Sequence, residues 1–396
     1  MQVLMFHLMP YPALPEAVHR ANDSMWVTMP NTHFDPVVGH DTYNRYLDEL
    51  ELCDALGYDG VCVNEHHQTP YGLMPSPIVT AAALARRTTR AKIAILGSAF
   101  CLREHPLTLA EEHAMIDNIT GGRVITGFVR GIGAEYYSFG VNPTESHERH
   151  AEAHDLVVEA WTRPGPFAFN GKYFNFEYVN LWPRPFQKPH PPIWIPSQGS
   201  SETIEWAAHP ARKHLYLQNF NPYAAVTKYL NYYRHAAQKM YGYEASSSQI
   251  GWAAPCYIAD TDQQALDEAR EPIEYLFNKM LRMPPGMFFP PGYTSRESMR
   301  QVVSGKRSIM GAARTVENLN AQGVIIVGSP ETVRKRILDA HKELGFSVFV
   351  SLLQFGTLSR DRTETNIRRF AAEVMPALKE TGDKHYAGFD PSRVAA

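Results

Sequence analysis

The chain has 396 residues, with 41 acidic against 38 basic side chains and a formal charge of −3. A composition of 44% hydrophobic and 20% charged residues is that of an ordinary globular protein and excludes disorder along the whole chain. The near-neutral balance argues against a broad nucleic-acid surface, and no run of roughly eighteen apolar residues is present to span a membrane.

The start, MQVLMFHLMPYP, lacks a basic leader and reads as a first strand, so a cytoplasmic protein is expected. The four cysteines (Cys53, Cys62, Cys101, Cys256) form no C-x-x-C pair and read as buried thiols in a reducing compartment. After a proline-bearing loop to about Gly39, Asp41 is a candidate cap. The helix it would start carries Tyr46, Leu47, Leu50, Cys53 and Leu56 at three- and four-residue spacing, up to Gly57. The run 60–63 predicts a second strand, and Pro77 to Ala85 a helix. The run 92–97 predicts a third strand. Pro106 opens a helix to about Ile119, and 124–129 predicts a fourth strand.

A helix at 146–161 follows, and then the rhythm breaks. Residues 163–192 carry seven prolines and read as an insertion with room for a hairpin. Later strand candidates are 193–195, 214–217, 252–258 and 348–353. Helices fit 222–240, 262–281, 330–344 and 361–380. Eight strands in β-α alternation predict a parallel sheet. With no phosphate-loop signature near the start, they favour a closed (β/α)₈ TIM barrel, an α/β fold, as one domain over 1–396. A second insertion at about 283–310 begins with the proline-punctuated, apolar stretch Met283 to Tyr293. Neither helix nor strand suits it; it is an active-site cover, an oligomer contact or a loop draped on the core.

Barrel chemistry sits at the carboxyl ends of strands, and four such places are unusual here. Asn64-Glu65-His66-His67 follows the second strand and brings three ionisable groups together. A histidine there can act as acid, base or hydrogen-bond donor near neutral pH, and the cluster reads as functional. Gly97-Ser98-Ala99 follows the third strand; its small residues admit either a flat ring or another backbone. Arg130 lies between Val129 and Gly131 after the fourth strand. It offers a bidentate fork suited to a phosphate, or a partner for a nearby carboxylate. Gln198, Gly199, Ser200, Ser201 and Thr203 follow the fifth strand, where a helix N-terminus would favour an anion. No His-x-His opens the first strand, which weakens the case for a metal.

These stretches, in this order, resemble the bacterial-luciferase-like family of flavin-dependent monooxygenases. The matching runs are Glu65-His66-His67, AEEHAMIDNITGGRVITGFVRGIGAEYYSFG from Ala110, PHPPIWIPSQGSSETIEWAA from Pro189 and VGSPETVRKRI from Val327. The resemblance implies a barrel that binds reduced FMN (FMNH2), supplied by a separate NAD(P)H-dependent flavin reductase. It implies oxidation of a small, partly apolar organic substrate by O2 through a C4a-peroxyflavin, in a homodimer or higher assembly.

By the same resemblance, His66 is the catalytic histidine and the candidate for proton work, with Glu65 and His67 as its orienters; Arg130 binds the FMN phosphate, Ser200 and Thr203 complete that site, and Ser98 runs along the flavin. Val129 stands where luciferase has a cysteine, and Gly199 replaces a glutamate, so light emission is not implied. Three rival readings remain. One is a deazaflavin-dependent dehydrogenase on the same barrel, one a metal-dependent hydrolase using Glu65, His66 and His67, and one a non-catalytic flavin-binding barrel.

Overall fold

The computed structural model describes residues 1–12, 14–310 and 313–381. Its strands are β1 (Gln2–Phe6), β2 (Gly60–Val63), β3 (Lys92–Ser98), β4 (Val124–Phe128), β5 (Phe167–Asn170), β6 (Asn175–Val179), β7 (Ile193–Ser197), β8 (Leu215–Asn219), β9 (Ile250–Ile258), β10 (Ile326–Gly328) and β11 (Val348–Leu352). Parallel pairing runs β1-β2-β3-β4-β7-β8-β9-β11, and β11 pairs back with β1. This closes the predicted eight-stranded TIM barrel, and each of the eight predicted strands takes its place in it. The apolar runs dictate that outcome. Strands buried on both faces read as near-continuous hydrophobic stretches, and all nine residues of β9 are buried.

Helices return the chain between strands, and their ends follow local chemistry. The first long helix is Pro36–Ala55, capped by Asp35, whose carboxylate accepts the Val37 N–H at 2.8 Å. Asp41, the predicted cap, lies inside it; Pro at the first helical position fixed the earlier start. Pro77–Arg87, Pro106–Thr120, Ser146–Thr162 and Pro330–Leu344 form close to expectation. Trp161 is buried and donates its indole N–H to the Ala110 carbonyl at 2.9 Å. It thereby clamps helix Ser146–Thr162, which carries His147 and His150, against helix Pro106–Thr120.

The first insertion holds the antiparallel hairpin β5–β6. The second was expected to hold neither helix nor strand over 283–293, yet it contains a helical turn at Pro285–Phe288 and then helix Arg296–Met310. Three further short helices, Glu16–Ala21, Gly133–Phe139 and Val316–Ala321, and strand β10 went unpredicted. Each is too short to show a periodicity of its own. All four cysteines are free and buried, as their isolated placement suggested. No helix among the described residues is long and apolar enough to cross a membrane.

Candidate active site

The ends of β2, β3, β4 and β7 carry the residues singled out from the sequence. His66 lies beyond β2, and its Nδ1 sits 3.0 Å from Glu135 Oε1. Glu135 is buried, and its other oxygen accepts the Ile132 N–H at 2.7 Å. The rings of Trp26 and Tyr71 flank the imidazole edge-on, at centroid distances of 5.0 and 5.3 Å. A carboxylate held on both oxygens fixes the imidazole's orientation, so Nδ1 is occupied and Nε2 is left for other work.

Glu65 and His67 do not orient His66, contrary to the sequence reading. Glu65 Oε1 instead takes His67 Nε2 and the Arg103 guanidinium, each at 2.9 Å. The cause is steric direction: adjacent residues on an extended loop point to opposite sides. The orienter comes from a helix 69 positions away in the chain. Its one sequence signal was an acid in the first turn of AEYYSFG. This also undercuts the metal-hydrolase reading, because Glu65 is paired to a cation and His66 turns elsewhere. Among the described residues no three His, Cys, Asp or Glu side chains converge to hold a metal.

Ser98 is buried, and its hydroxyl meets His113 Nε2 at 3.1 Å, while His113 Nδ1 meets Thr126 at 3.0 Å. Burial pushes His113 down to about 3, so it is neutral. A Cβ on Gly97 would lie 2.8 Å from the Gly127 carbonyl oxygen, so another backbone approaches closely there.

Arg130, beyond β4, donates to Ser146 Oγ at 3.0 Å and to the Tyr293 carbonyl at 2.9 Å, and it stacks over the Tyr293 ring. Tyr293 belongs to the second insertion, which therefore lies across the ends of β4 and β7. Arg130 borders a cavity of about 230 Å³ with His147, His150, Glu202, Thr203 and Trp206. His147 Nε2 and His150 Nδ1 are buried there without hydrogen-bond partners. Burial, followed by the Arg130 charge, pulls His147 down to about 4.

Ser200 occupies the cap position of helix Ser201–Ala208, but its hydroxyl does not cap. It donates to Glu202 Oε2 at 2.8 Å, where Ser298 also bonds; Ser201 lies 3.0 Å from Ser298. Burial raises the Glu202 carboxyl, but hydrogen bonds from Ser295 and its neighbours outweigh it and leave the group below its ordinary value. Gly199 has a φ of +104°, and a Cβ on it would lie 2.3 Å from the Tyr229 ring, so no side chain fits between that ring and the turn. Gln198 turns away from Arg130, toward Asn219 and Lys306. Sequence reasoning missed Glu135, Glu202, His147, Ser298 and Lys306. Glu202 stands within the run already singled out, and the other four reach the site from other elements.

A family model described as luciferase-like monooxygenase matches residues 24–347. The chain belongs to the luciferase-like monooxygenase family. Among its relatives is the oxygenase component of a flavin-dependent trigonelline monooxygenase from Acinetobacter baylyi. The two are 25% identical over 363 residues, which cover 88% of this chain and 94% of the relative. Among solved structures, the oxygenating constituent of 3,6-diketocamphane monooxygenase from Pseudomonas putida, in complex with FMN, superposes with a TM-score of 0.72. It is 20% identical and covers 95% of this chain and 98% of its own. A coenzyme F420-dependent secondary alcohol dehydrogenase shares the fold at a TM-score of 0.63 and 14% identity, over 95% and 98% of the two chains. This family member is accordingly an enzyme of the flavin-dependent monooxygenase kind.

Proposed function

We propose that the protein is the oxygenase component of a two-component system, using reduced FMN and O2 to oxidise a small, partly apolar organic substrate. The observation that carries this reading is the cavity shared by Arg130 and Thr203. A guanidinium and a hydroxyl converge on it at the start of helix Ser201–Ala208, and two buried imidazole nitrogens in its wall lack partners. Arg130 and Thr203 suit a dianionic phosphate, while the Glu202 carboxylate that also lines the cavity is occupied by Ser200 and Ser298. A flavin without a phosphate would leave the two buried imidazole nitrogens without partners, at a cost of about 1–3 kcal/mol each. The residues present therefore fit a flavin mononucleotide.

When bound, reduced flavin supplies the electrons that activate oxygen. Everything else falls to this chain. Arg130 and Thr203 anchor the phosphate, and Ser200 and Ser201 hold the turn beside it through Glu202 and Ser298. The imidazole of His66, held at Nδ1 by Glu135, takes up or gives a proton at Nε2. Trp26 and Tyr71, with Met283 and Met287 of the second insertion, make an apolar surround that keeps water from the barrel mouth. Glu65, His67 and Arg103 brace the loop beyond β2. A separate NAD(P)H-dependent reductase supplies the reduced cofactor; the relative's description as an oxygenase component supports that partner.

The fold shared with the deazaflavin enzyme supports hydride transfer as the second reading. Anaerobic titration with reduced FMN and with reduced deazaflavin separates the two. Tighter FMNH2 binding, with label from ¹⁸O₂ in the product of a reductase-coupled reaction, is the expected result. Tighter deazaflavin binding, with turnover in the absence of O2, would replace the first reading by the second.

A further inference from the structure

Lys306 stands on helix Arg296–Met310 of the second insertion, and its Nζ lies 2.6 Å from Gln198 Oε1. Gln198 follows β7 directly. Its Nε2 lies 2.6 Å from Oδ1 of Asn219, the last residue of β8. The three groups thus close over the gap between β7 and β8, on the face of the barrel where substrates bind. Arg130 lies beyond β4, on the other side of β7.

The hydrogen-bond logic of this trio runs in one direction. An ammonium only donates, so Gln198 must present its oxygen to Lys306. The glutamine's nitrogen is then the donor to Asn219, and Asn219 must accept with its oxygen. This leaves the Asn219 Nδ2 hydrogens pointing to no acceptor among the described residues, and two of the three ammonium hydrogens as well. The Phe288 ring lies 5.8 Å from the ammonium, and the Arg314 charge is close enough to repel it. No carboxylate pairs with Lys306 among the described residues. Lys306 is half-buried, and burial, followed by the Arg314 charge, pulls its amine down to about 8. A protein sustains such an arrangement when a ligand completes it.

We propose that Lys306 and Asn219, with Gln198 fixing their geometry, form the receptor for a carboxylate on the organic substrate. Two cation N–H groups and one amide N–H match the two oxygens of a carboxylate, and the Phe288 face lies beside them. This assignment rests on the oxygenase reading for the identity of the barrel mouth as the substrate site. It gives that site a preference for acids over their neutral amides. The same donors could instead serve the cofactor phosphate, so the test separates the two sources.

Calorimetric titration of the FMN-saturated protein with benzoate, hexanoate, benzamide and hexanamide tests it, in wild type, Lys306→Met and Lys306→Arg. At least one acid should bind wild type about ten-fold or more tighter than its amide, a difference typical of charge-assisted hydrogen bonds. The preference should fall to about one in Lys306→Met and recover in part in Lys306→Arg. No acid preference in wild type, or the same preference in Lys306→Met, overturns the proposal. FMN and riboflavin affinities are measured on the same three proteins. An FMN-over-riboflavin preference unaltered by Lys306→Met supports the assignment to substrate; its collapse in that variant moves the ammonium to the phosphate and overturns it. Failure of wild type to prefer FMN over riboflavin counts against the cofactor reading alone, because the acid–amide comparison is repeated without flavin.

Discussion

Replacing Gly199 by Ala adds one carbon at the turn that leads into helix Ser201–Ala208. Two costs follow from the structure. The φ of +104° is unfavourable for any residue with a Cβ, at about 1–2 kcal/mol. The new carbon would also sit 2.3–2.7 Å from three Tyr229 ring atoms. Tyr229 is fully buried, and its hydroxyl is tied to the Gln301 carbonyl at 3.0 Å, so the ring cannot yield freely. Overpacking of this kind costs about 1–3 kcal/mol. Together the loss is about 2–5 kcal/mol. A chain of 396 residues unfolds with an entropy of about 0.8 kcal/mol per kelvin, so the melting temperature should fall by about 2.5–6 °C. Gly140→Ala is the control. Its φ is +66° with no atom within 4 Å, so only the backbone cost applies, about 1–2 °C. Differential scanning calorimetry of both variants reads the difference directly. If Gly199→Ala melted with Gly140→Ala, the Tyr229 ring would not be a rigid wall, and the packing of this turn would have been misread.

Arg130→Ala should weaken FMN binding by about 1.5–3 kcal/mol and leave riboflavin affinity unchanged; equal FMN affinity in fluorescence titrations would remove Arg130 from the phosphate site. His66→Ala should retain flavin affinity and lose most oxygenation, as followed by product mass spectrometry with a flavin reductase. Glu135→Gln keeps the shape but loses the charge behind His66. A fall of about 10–100-fold in turnover is expected, with flavin affinity unchanged, and turnover within three-fold of wild type would show that Glu135 does not position the imidazole. Acid should destabilise the fold through buried neutral histidines, with His113 pushed by burial to about 3 and His214 to about 2. Their stabilisation is complete above the unfolded value of about 6.5 and is lost as pH falls, at about 1.4 kcal/mol per pH unit for each group. A melting temperature that stayed flat from pH 7 to pH 5 would contradict this.

The strand ends explain why some of the site was legible and some was not. His66, Arg130, Ser200 and Thr203 each sit within a few residues of an apolar run that reads unmistakably as a buried strand, and strand ends on one face of a barrel share a site. Glu135 hid in a seven-residue helix, too short to show a stripe of its own. Lys306 and Ser298 lie in an insertion whose prolines obscured the helix that follows. Glu202 is an acid in the first turn of its helix, where acids are common, and only the approach of Ser295 and Ser298 reveals its role in holding the turn. Gln198 looked like part of an anion cradle by position; its rotamer faces the next strand instead.

Periodicity and composition by themselves determined the barrel, because each strand and most long helices carry their own pattern of burial in the chain, independent of what they later touch. They also placed an imidazole, a guanidinium and a hydroxyl-rich helix start on one rim. Which groups pair was decided only in three dimensions. Glu135 rather than Glu65 stands behind His66, and Lys306 reaches Gln198 across 108 positions, because side-chain direction and long-range packing leave no periodic trace in the sequence.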